Sequence, residues 1–240
     1  MEEALAAGLE FRGVLVAPEL ARTARGGELR AELERHGVTV EDVGARAFGQ
    51  LATTDTPQGV LAIVEPRMWT AGEIDFTRGR AILVIDGVQD PGNVGTLIRT
   101  AHALGAAATV VLRGTADVLN PKALRAAMGA TFRHPVVPLD DQQFIAWAGA
   151  NAVTLWATAA DGVPLERARS DAARGTGVGV GGGGGRERIA VIVGNEGAGI
   201  RPALNAVAAR RVAIPLAQGA ESLNVAVAAG ILLHEVLRGQ

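Results

Sequence analysis

The pattern of apolar and polar positions changes about a third of the way along the chain, close to residue 80. Before this point, short β-rich runs alternate with stretches of helical composition. The runs lie at residues 12–18, 38–43 and 59–66, and the helical stretches lie at 19–37, with an expected break at Gly26-Gly27, and at 45–52. Because strands joined by helices favour a parallel or mixed sheet, residues 1–66 are predicted to form a small α/β domain. Residues 1–8 resemble the end of a helix, which leaves open whether this domain is complete.

After residue 80 the apolar runs become continuous, which is the pattern of strands buried on both faces. These runs lie at residues 81–86, 108–114, 151–160, 189–196 and 211–216, with helical stretches between them. Alternating strands and helices predict an α/β domain over residues 80–240, built on a mostly parallel sheet with helices on both faces. Residues 67–79 have no period and contain two glycines, so we interpret them as a linker.

The helix predicted at residues 222–238 is apolar on nearly its whole circumference. Such a helix must be covered by more than one neighbour. The second neighbour is either another part of the same core or a second subunit, and the pattern alone does not choose between them.

Composition narrows the chemistry that this chain can perform. Of the 240 residues, 48% are apolar, 3% are aromatic and none is cysteine, which excludes disulfides, thiol catalysis and cysteine-ligated metal sites. The four histidines lack metal-ligand spacing, and neither an HExxH nor a GxSxG pattern occurs, so we expect no metal and no hydrolase chemistry. The net charge of −2 neither supports nor excludes a nucleic-acid partner.

No membrane segment is expected, because no run of about 18 apolar residues occurs. The first ten residues, MEEALAAGLE, are acidic where a signal peptide has a basic region. We therefore expect a cytoplasmic protein.

The segment at residues 82–106 combines a buried strand with residues that could meet a ligand. Its strand ends at Asp86 and its helix is expected to begin near Asn93. The apolar stripe of that helix is formed by Val94, Leu97, Ile98 and Ala101. Arg99 lies outside this stripe. Either the helix N-terminus faces a ligand at the carboxyl edge of the sheet, or Asn93 only caps the helix and Arg99 is a solvated surface residue.

Two further strands end in loops of small residues. The strand at 190–200 runs into Gly194-Asn-Glu-Gly197-Ala-Gly199, and a loop in 212–236 precedes a helix N-cap predicted at Ser222. Such loops let a ligand lie against the backbone, but they also occur as structural turns. The glycine order does not match GxGxxG, and no acidic residue follows about 20 positions later to hold a ribose, which argues against a nicotinamide-dependent enzyme. The glycine-rich segment 175–186 lacks the Lys-Ser/Thr ending of a phosphate loop and is interpreted as a surface loop.

Together these segments resemble the three sequence motifs of the SpoU (TrmH-type) RNA 2′-O-ribose methyltransferases of the SPOUT superfamily. NVGTLIRTAHALGA is similar to the first motif, IVGNEGAGI to the second and IPLAQGAESLNVAVAAGILLHE to the third, in that order. TTDTPQGVLAIVEP, at residues 53–66, is similar to the end of the family's N-terminal substrate-binding module. The chain departs from the family at Ala127, where a serine is frequent, and at the insertion 175–186.

The resemblance implies a trefoil knot at the C-terminal end of the catalytic domain, which binds S-adenosyl-L-methionine largely through backbone groups. By motif position, Gly194, Ile214 and Leu223 are expected to bind this cofactor. The residues expected to add polar contacts or a helix cap beside it are Glu196, Asn224 and Ser222. Family members form homodimers through the knot, which would account for the apolar circumference of the last helix.

The implied activity is methyl transfer from S-adenosyl-L-methionine to a ribose 2′-hydroxyl, with a guanosine of 23S-type ribosomal RNA favoured over a transfer RNA target. Arg99 has the central catalytic position, either as a base or as the group that binds the neighbouring phosphate and orients the hydroxyl. A guanidinium does not readily lose its proton, which favours the second role. Asn93 is expected to place Arg99 or the ribose. A non-catalytic RNA-binding protein on this fold would be expected to lack Arg99, which is present.

Overall fold

A computed structural model describes residues 1–52, 57–77, 79–173 and 187–238 of the chain. The chain folds into two units, Met1–Arg67 and Met68–Gln240. The glycine-rich segment 175–186, interpreted from the sequence as a surface loop, lies outside the described residues.

The first unit is a small α/β fold around a three-stranded sheet. Its strands are β1 (Phe11–Val16), β2 (Val40–Asp42) and β3 (Val60–Val64), and its helices are α1 (Glu2–Ala6), α2 (Ala24–Arg35) and α3 (Ala45–Leu51). The central strand β1 pairs in parallel with β2 and antiparallel with β3, so the sheet is mixed. The buried side chains of β1 and α2, among them Val14 and Leu33, form its core.

The expected break at Gly26-Gly27 is wrong, because both glycines lie inside α2. The interruption comes earlier, at Thr23, which separates a 3₁₀ turn from the helix and caps it by accepting a hydrogen bond from Gly26 N–H at 3.0 Å. A Cβ at position 26 would lie 1.9 Å from the carbonyl oxygen of Leu20. Glycine is therefore needed here for the close approach of two backbone segments, not to end a helix.

The second unit is built on a six-stranded sheet in which every neighbouring pair is parallel. The strands are β4 (Ala81–Asp86), β5 (Thr109–Leu112), β6 (Val136–Leu139), β7 (Val153–Pro164), β8 (Arg188–Gly194) and β9 (Arg210–Ala213). The helices are α4 (Pro91–Ala103), α5 (Pro121–Ala127), α6 (Ala130–Arg133), α7 (Asp141–Ala150), α8 (Leu165–Ala173), α9 (Pro202–Val207) and α10 (Val225–Leu237). The order of the strands across the sheet is β6-β5-β4-β8-β7-β9.

Helices cover both faces of this sheet, as the sequence predicted. All six residues of β4 are buried, and their side chains alternate between two clusters. Leu83 and Ile85 pack with residues of α4, α8 and α10, whereas Ile82 and Val84 pack with residues of α7 and α9. Burial on both sides explains why the apolar run of β4 is continuous in the sequence.

Residues 68–77, within the segment interpreted as a linker, belong to the second unit and pack on its core. The indole Nε1 of Trp147 donates a hydrogen bond to Ala71 O at 3.2 Å, and the ring of Phe76 stacks on Trp147 with 6.1 Å between ring centroids. Ile74 and Phe76 belong to the core on the α7 and α9 face.

The last helix, α10, buries seven side chains against α4, α8 and the sheet. The N-cap predicted at Ser222 is wrong, because the side chain of Asn224 caps the helix by accepting a hydrogen bond from Ala226 N–H at 2.9 Å. Val227 and Ile231 remain exposed on the opposite side. In the part of the chain that the structure describes, no helix is both long enough and apolar enough to span a membrane.

Candidate active site

The start of α4 is set by Asp90. Its Oδ1 accepts a hydrogen bond from Asn93 N–H at 2.8 Å, and Pro91 occupies the first turn, where a missing N–H has no cost. Lys122 of α5 places Nζ 2.5 Å from Asp90 Oδ2, and this contact lowers the pKa of Asp90. The reading in which Asn93 only caps the helix is therefore wrong, since Asp90 is the cap and the Asn93 side chain is left for other partners.

Asn93 joins the three predicted motifs at one point. Its Nδ2 donates to Glu196 Oε1 at 2.7 Å, and its Oδ1 accepts from Asn224 Nδ2 at 3.0 Å. Glu196 follows β8, and Asn224 precedes α10, so residues 103 and 131 positions away meet the same amide. We refer to Asn93, Glu196 and Asn224 as the amide junction. Three of the site residues expected from the sequence thus lie in contact at the carboxyl edge of the sheet.

Arg99 lies on the exposed side of α4. The four residues of the predicted stripe are fully buried, which turns Arg99 outward. Among the residues that the structure describes, none forms an ion pair or hydrogen bond with its guanidinium. Five N–H donors and a fixed positive charge are therefore available to a ligand that approaches the exposed side of α4.

The loop after β8 folds back on its own first residue. Asn195 and Gly199 exchange two backbone hydrogen bonds of 3.1 and 2.9 Å. A Cβ on Gly194 would lie 2.4 to 2.5 Å from backbone atoms of Gly199 and Ile200. Glycine at 194 is thus required by the backbone of the loop itself, which is the structural turn that the sequence left open as the alternative to a ligand contact.

Asn195 holds this loop in shape, and the sequence analysis missed it. Its Oδ1 accepts from Gly197 N–H and Ala198 N–H, both at 2.9 Å, and its Nδ2 donates to Gly87 O at 3.0 Å. The signal was the ability of asparagine to bond its own backbone two residues on, which is common in turns. The amide therefore links the loop after β8 to the loop after β4.

The segment between β9 and α10 offers backbone groups to a ligand. Residues 215–224 are all exposed, and the one backbone hydrogen bond that we find within this fully described segment runs from Ala220 N–H to Ala217 O. Ile214 packs partly against the core, Leu223 is 37% exposed, and Ser222 is exposed and does not cap α10. A cofactor held mainly by backbone N–H and C=O groups fits this donor set.

The expected cofactor residues share one edge of the sheet. Gly194 ends β8, Ile214 follows β9, and β7 lies between these two strands. Since all pairings are parallel, the carboxyl ends of the strands meet at the same edge, which is where ligands bind in open α/β sheets. The described residues contain no cluster of three or more His, Cys, Asp or Glu suited to a metal ion.

Comparison with known proteins identifies the family. Residues 80–234 match the model of the SpoU rRNA Methylase family. The chain belongs to this family. Residues 1–69 match a second model, described as RNA 2′-O ribose methyltransferase substrate binding. The resemblance inferred from the three motifs is thereby confirmed, and the chain is an RNA 2′-O-methyltransferase by family.

Several SpoU relatives are similar over most of the chain. A 23S rRNA (guanosine(2553)-2′-O)-methyltransferase of Bacillus subtilis is 40% identical over 194 residues, which are 80% of this chain and 70% of the relative. A 23S rRNA (adenosine(1067)-2′-O)-methyltransferase of Streptomyces laurentii is 30% identical over 240 residues, covering 99% and 83%. The crystal structure of an AdoMet-bound rRNA methyltransferase from Sinorhizobium meliloti superposes with a TM-score of 0.79 at 30% identity, covering 99% of this chain and 83% of that one.

Proposed function

We propose that this SpoU family member methylates a ribose 2′-hydroxyl of ribosomal RNA, most specifically a guanosine of 23S-type RNA, with S-adenosyl-L-methionine as the methyl donor. The observation that carries the proposal is the amide junction, which joins the three family motifs. Arg99 lies on the same helix as Asn93, and its guanidinium has no partner among the described residues. The names of the relatives support ribosomal RNA over transfer RNA and include both guanosine and adenosine targets. Ribosomal RNA as substrate supports a cytoplasmic location.

Arg99 binds the phosphate next to the target ribose and orients the 2′-hydroxyl. Its guanidinium is exposed and without a partner among the described residues, and a planar fork of donors suits a phosphate. Asn93 and Arg99 both lie on α4, so this helix sets the position of the amide junction relative to the Arg99 guanidinium. The methyl group arrives already activated on a sulfonium, so the protein has to align the reactants and manage one proton.

S-Adenosyl-L-methionine is held by the loop after β8 and by the segment before α10. Gly194, Ile214 and Leu223 supply backbone groups, and this role is supported by the exposed backbone of residues 215–223, within which we find one backbone hydrogen bond. Glu196 and Asn224 shape the side of the site that faces Asn93. Ser222 lies in the same exposed segment, and its hydroxyl is available to the cofactor instead of the helix.

We also propose the domain roles and assembly that the family resemblance implies. Residues 1–66 form the RNA-binding domain, 67–79 the connection, and 80–240 the methyltransferase domain with a trefoil knot at its C-terminal end. The contacts of α10 with β4, β8 and α4 support a C-terminal segment built into the middle of the domain. A homodimer forms through α10, supported by its exposed Val227 and Ile231.

The proposal is tested by incubating the protein with tritiated S-adenosyl-L-methionine and either 23S rRNA or a transfer RNA pool. We expect label in 23S rRNA at one ribose, located by the block that 2′-O-methylation imposes on alkaline cleavage. The Arg99→Ala variant is the negative control. Label in transfer RNA alone, or on a base instead of a ribose, would contradict the proposal.

A further inference from the structure

Asp86 is the one Asp or Glu, among the described residues, that is buried in the core. It ends β4 in the middle of the sheet, and its side chain has no exposure at all. Removing a carboxylate from water costs several kcal/mol unless partners compensate for the lost hydration. A buried charge at the carboxyl edge, directly before the loop that carries Asp90, therefore requires an explanation that the roles proposed above do not provide.

Arg201 supplies the compensation in two ways. Its backbone N–H donates to Asp86 Oδ2 at 2.8 Å, and its Nε donates to Asp86 Oδ1 at 2.5 Å. At the far end of the guanidinium, Nη2 lies 2.7 Å from Oδ1 of Asp141, the first residue of α7, in an ion pair whose angles are not those of a hydrogen bond. One arginine thus ties a central strand to a helix on the sheet's face.

Both ends of the loop after β8 are fixed at Asp86. At its start, Gly194 is the register partner of Asp86 on the neighbouring strand. At its end, Arg201 binds the Asp86 carboxylate and stands at the N-cap position of α9. The six residues between them, 195–200, include Glu196 of the amide junction. The carboxylate of Asp86 therefore ties the end of the loop to the strand beside its start, outside the turn that Asn195 and Gly199 close.

We infer that Asp86 and Arg201 are positioning residues that hold the 195–200 loop in the shape that binds S-adenosyl-L-methionine, with Asp141 fixing the orientation of the Arg201 guanidinium. This inference rests on the proposed function. Loss of the ion pair lets the loop ends separate and misplaces the backbone groups at Gly194. The interaction with the cofactor weakens as a whole, whereas Asn93 keeps its second partner, Asn224.

Isothermal titration calorimetry with S-adenosyl-L-methionine alone tests this inference without any RNA. In Arg201→Lys, the positive charge and the backbone N–H remain, but an ammonium does not reach two carboxylates as a fork does. We expect the Kd to rise about tenfold, which corresponds to the loss of one charge-assisted hydrogen bond. Asp86→Asn is expected to raise it at least as much. In methylation assays the KM for the cofactor rises in parallel, while kcat stays within about threefold.

The variant Val110→Ala distinguishes a specific effect on cofactor binding from a general loss of stability. Val110 is fully buried in β5, two strands from β8 in the sheet, and its truncation lowers the melting temperature while both partners of the ion pair remain. Measured well below the melting temperatures, its Kd should equal that of the wild type. An unchanged Kd in Arg201→Lys, or an equal rise in Val110→Ala, overturns the inference.

The outcomes also separate this inference from the proposed function. If Asp86→Asn does not fold, Arg201→Lys alone decides, because it conserves the charge beside the buried carboxylate. If the wild type binds the cofactor but methylates no ribosomal RNA, the proposed function is wrong while the Kd values still decide the role of the ion pair. Wild-type Kd values in both variants, with ribosomal RNA still methylated, contradict the inference alone.

Discussion

Asn93 is able to bridge two distant segments because Asp90 caps its helix. An amide donates and accepts at the same time, so one side chain donates to Glu196 and accepts from Asn224. An aspartate at 93 would keep an acceptor for Asn224 but lose the NH₂ donor to Glu196, and its charge would repel the Glu196 carboxylate. The chemistry of the first motif therefore depends on which of two neighbouring polar residues takes the cap.

At the same scale, Arg99→Ala is expected to reduce methyl transfer about a hundredfold or more while leaving cofactor affinity and folding close to wild type. Arg99 is off the buried stripe of α4, so its loss leaves the core intact. The effect should fall on kcat more than on KM, because the proposed contact with the phosphate is strongest when the hydroxyl is aligned for reaction. Single-turnover assays with 23S rRNA, and calorimetry with the cofactor, measure the two quantities.

Arg99→Lys is the matched comparison, because it keeps the charge and removes the planar fork. We expect it to recover little of the lost rate, since a point charge does not bind a phosphate through two parallel hydrogen bonds. Near wild-type turnover in Arg99→Ala would show that Arg99 is misassigned.

At the scale of elements, the sequence predicted what local pattern determines. The continuous run of β4 and the stripe of α4 follow from burial on both faces and from helical periodicity, and both are confirmed. β6 was missed because it has only four residues, includes Pro138 and lies at the sheet edge, where a proline is tolerated.

The errors at helix starts have a different cause. Asp90 and Asn93, or Ser222 and Asn224, are pairs of good capping residues within a few positions, and local sequence does not rank them. Tertiary contacts decide, since Asn224 reaches both α10 and Asn93, and Lys122 holds Asp90. The ion pair of buried Asp86 with half-buried Arg201, 115 positions apart, had no local signal at all.

The loop after β8 makes a sharp prediction for Gly194→Ala. The new Cβ would lie 2.4 Å from the backbone of Gly199. Because Cβ has no rotational freedom and its neighbour is backbone, no side-chain movement relieves this clash. We expect a loss of about 1–3 kcal/mol in the free energy of unfolding and a clear rise in the cofactor Kd. Urea denaturation and calorimetry measure them.

Gly197→Ala is the control within the same loop. A Cβ there meets only Asn195 Oδ1 at 3.6 Å, which is an ordinary contact, and the backbone is not left-handed. This variant should fold and bind the cofactor like the wild type. Equal behaviour of the two variants would mean that the loop does not depend on close approach at Gly194.

At the scale of the whole molecule, stability is expected to depend on pH through His134. Burial, and then the nearby His102, lower the pKa of His134 from 6.5 to about 3, and its Nε2 lies 2.9 Å from Thr109 Oγ1. Well above pH 6.5 the histidine is neutral in both states, so its contribution is complete. As the pH falls from 6.5 towards 3, the unfolded chain takes up a proton that the folded one does not, and stability is lost.

By pH 5 this loss amounts to about 2 kcal/mol relative to pH 7.5. Urea denaturation at the two pH values measures it. His134→Gln has no proton to gain, so the difference between the two pH values should shrink by that amount. An unchanged difference in His134→Gln would assign the pH dependence to other groups.

Assembly is the last property of the whole molecule that the fold makes testable. The buried side of α10 faces its own core, but Val227 is 52% exposed and Ile231 is 38% exposed one turn further on. Leu223, at the end of the segment proposed to hold the cofactor, is 37% exposed and adds a third apolar side chain four residues before Val227. We expect the wild type to sediment as a dimer at micromolar concentration and Ile231→Asp as a monomer, because a carboxylate in an apolar interface loses its hydration. Val207→Asp, on a residue of α9 that is 45% exposed, should remain dimeric. A wild type that sediments only as a monomer, or an Ile231→Asp that stays dimeric, would place the subunit contact elsewhere or remove it.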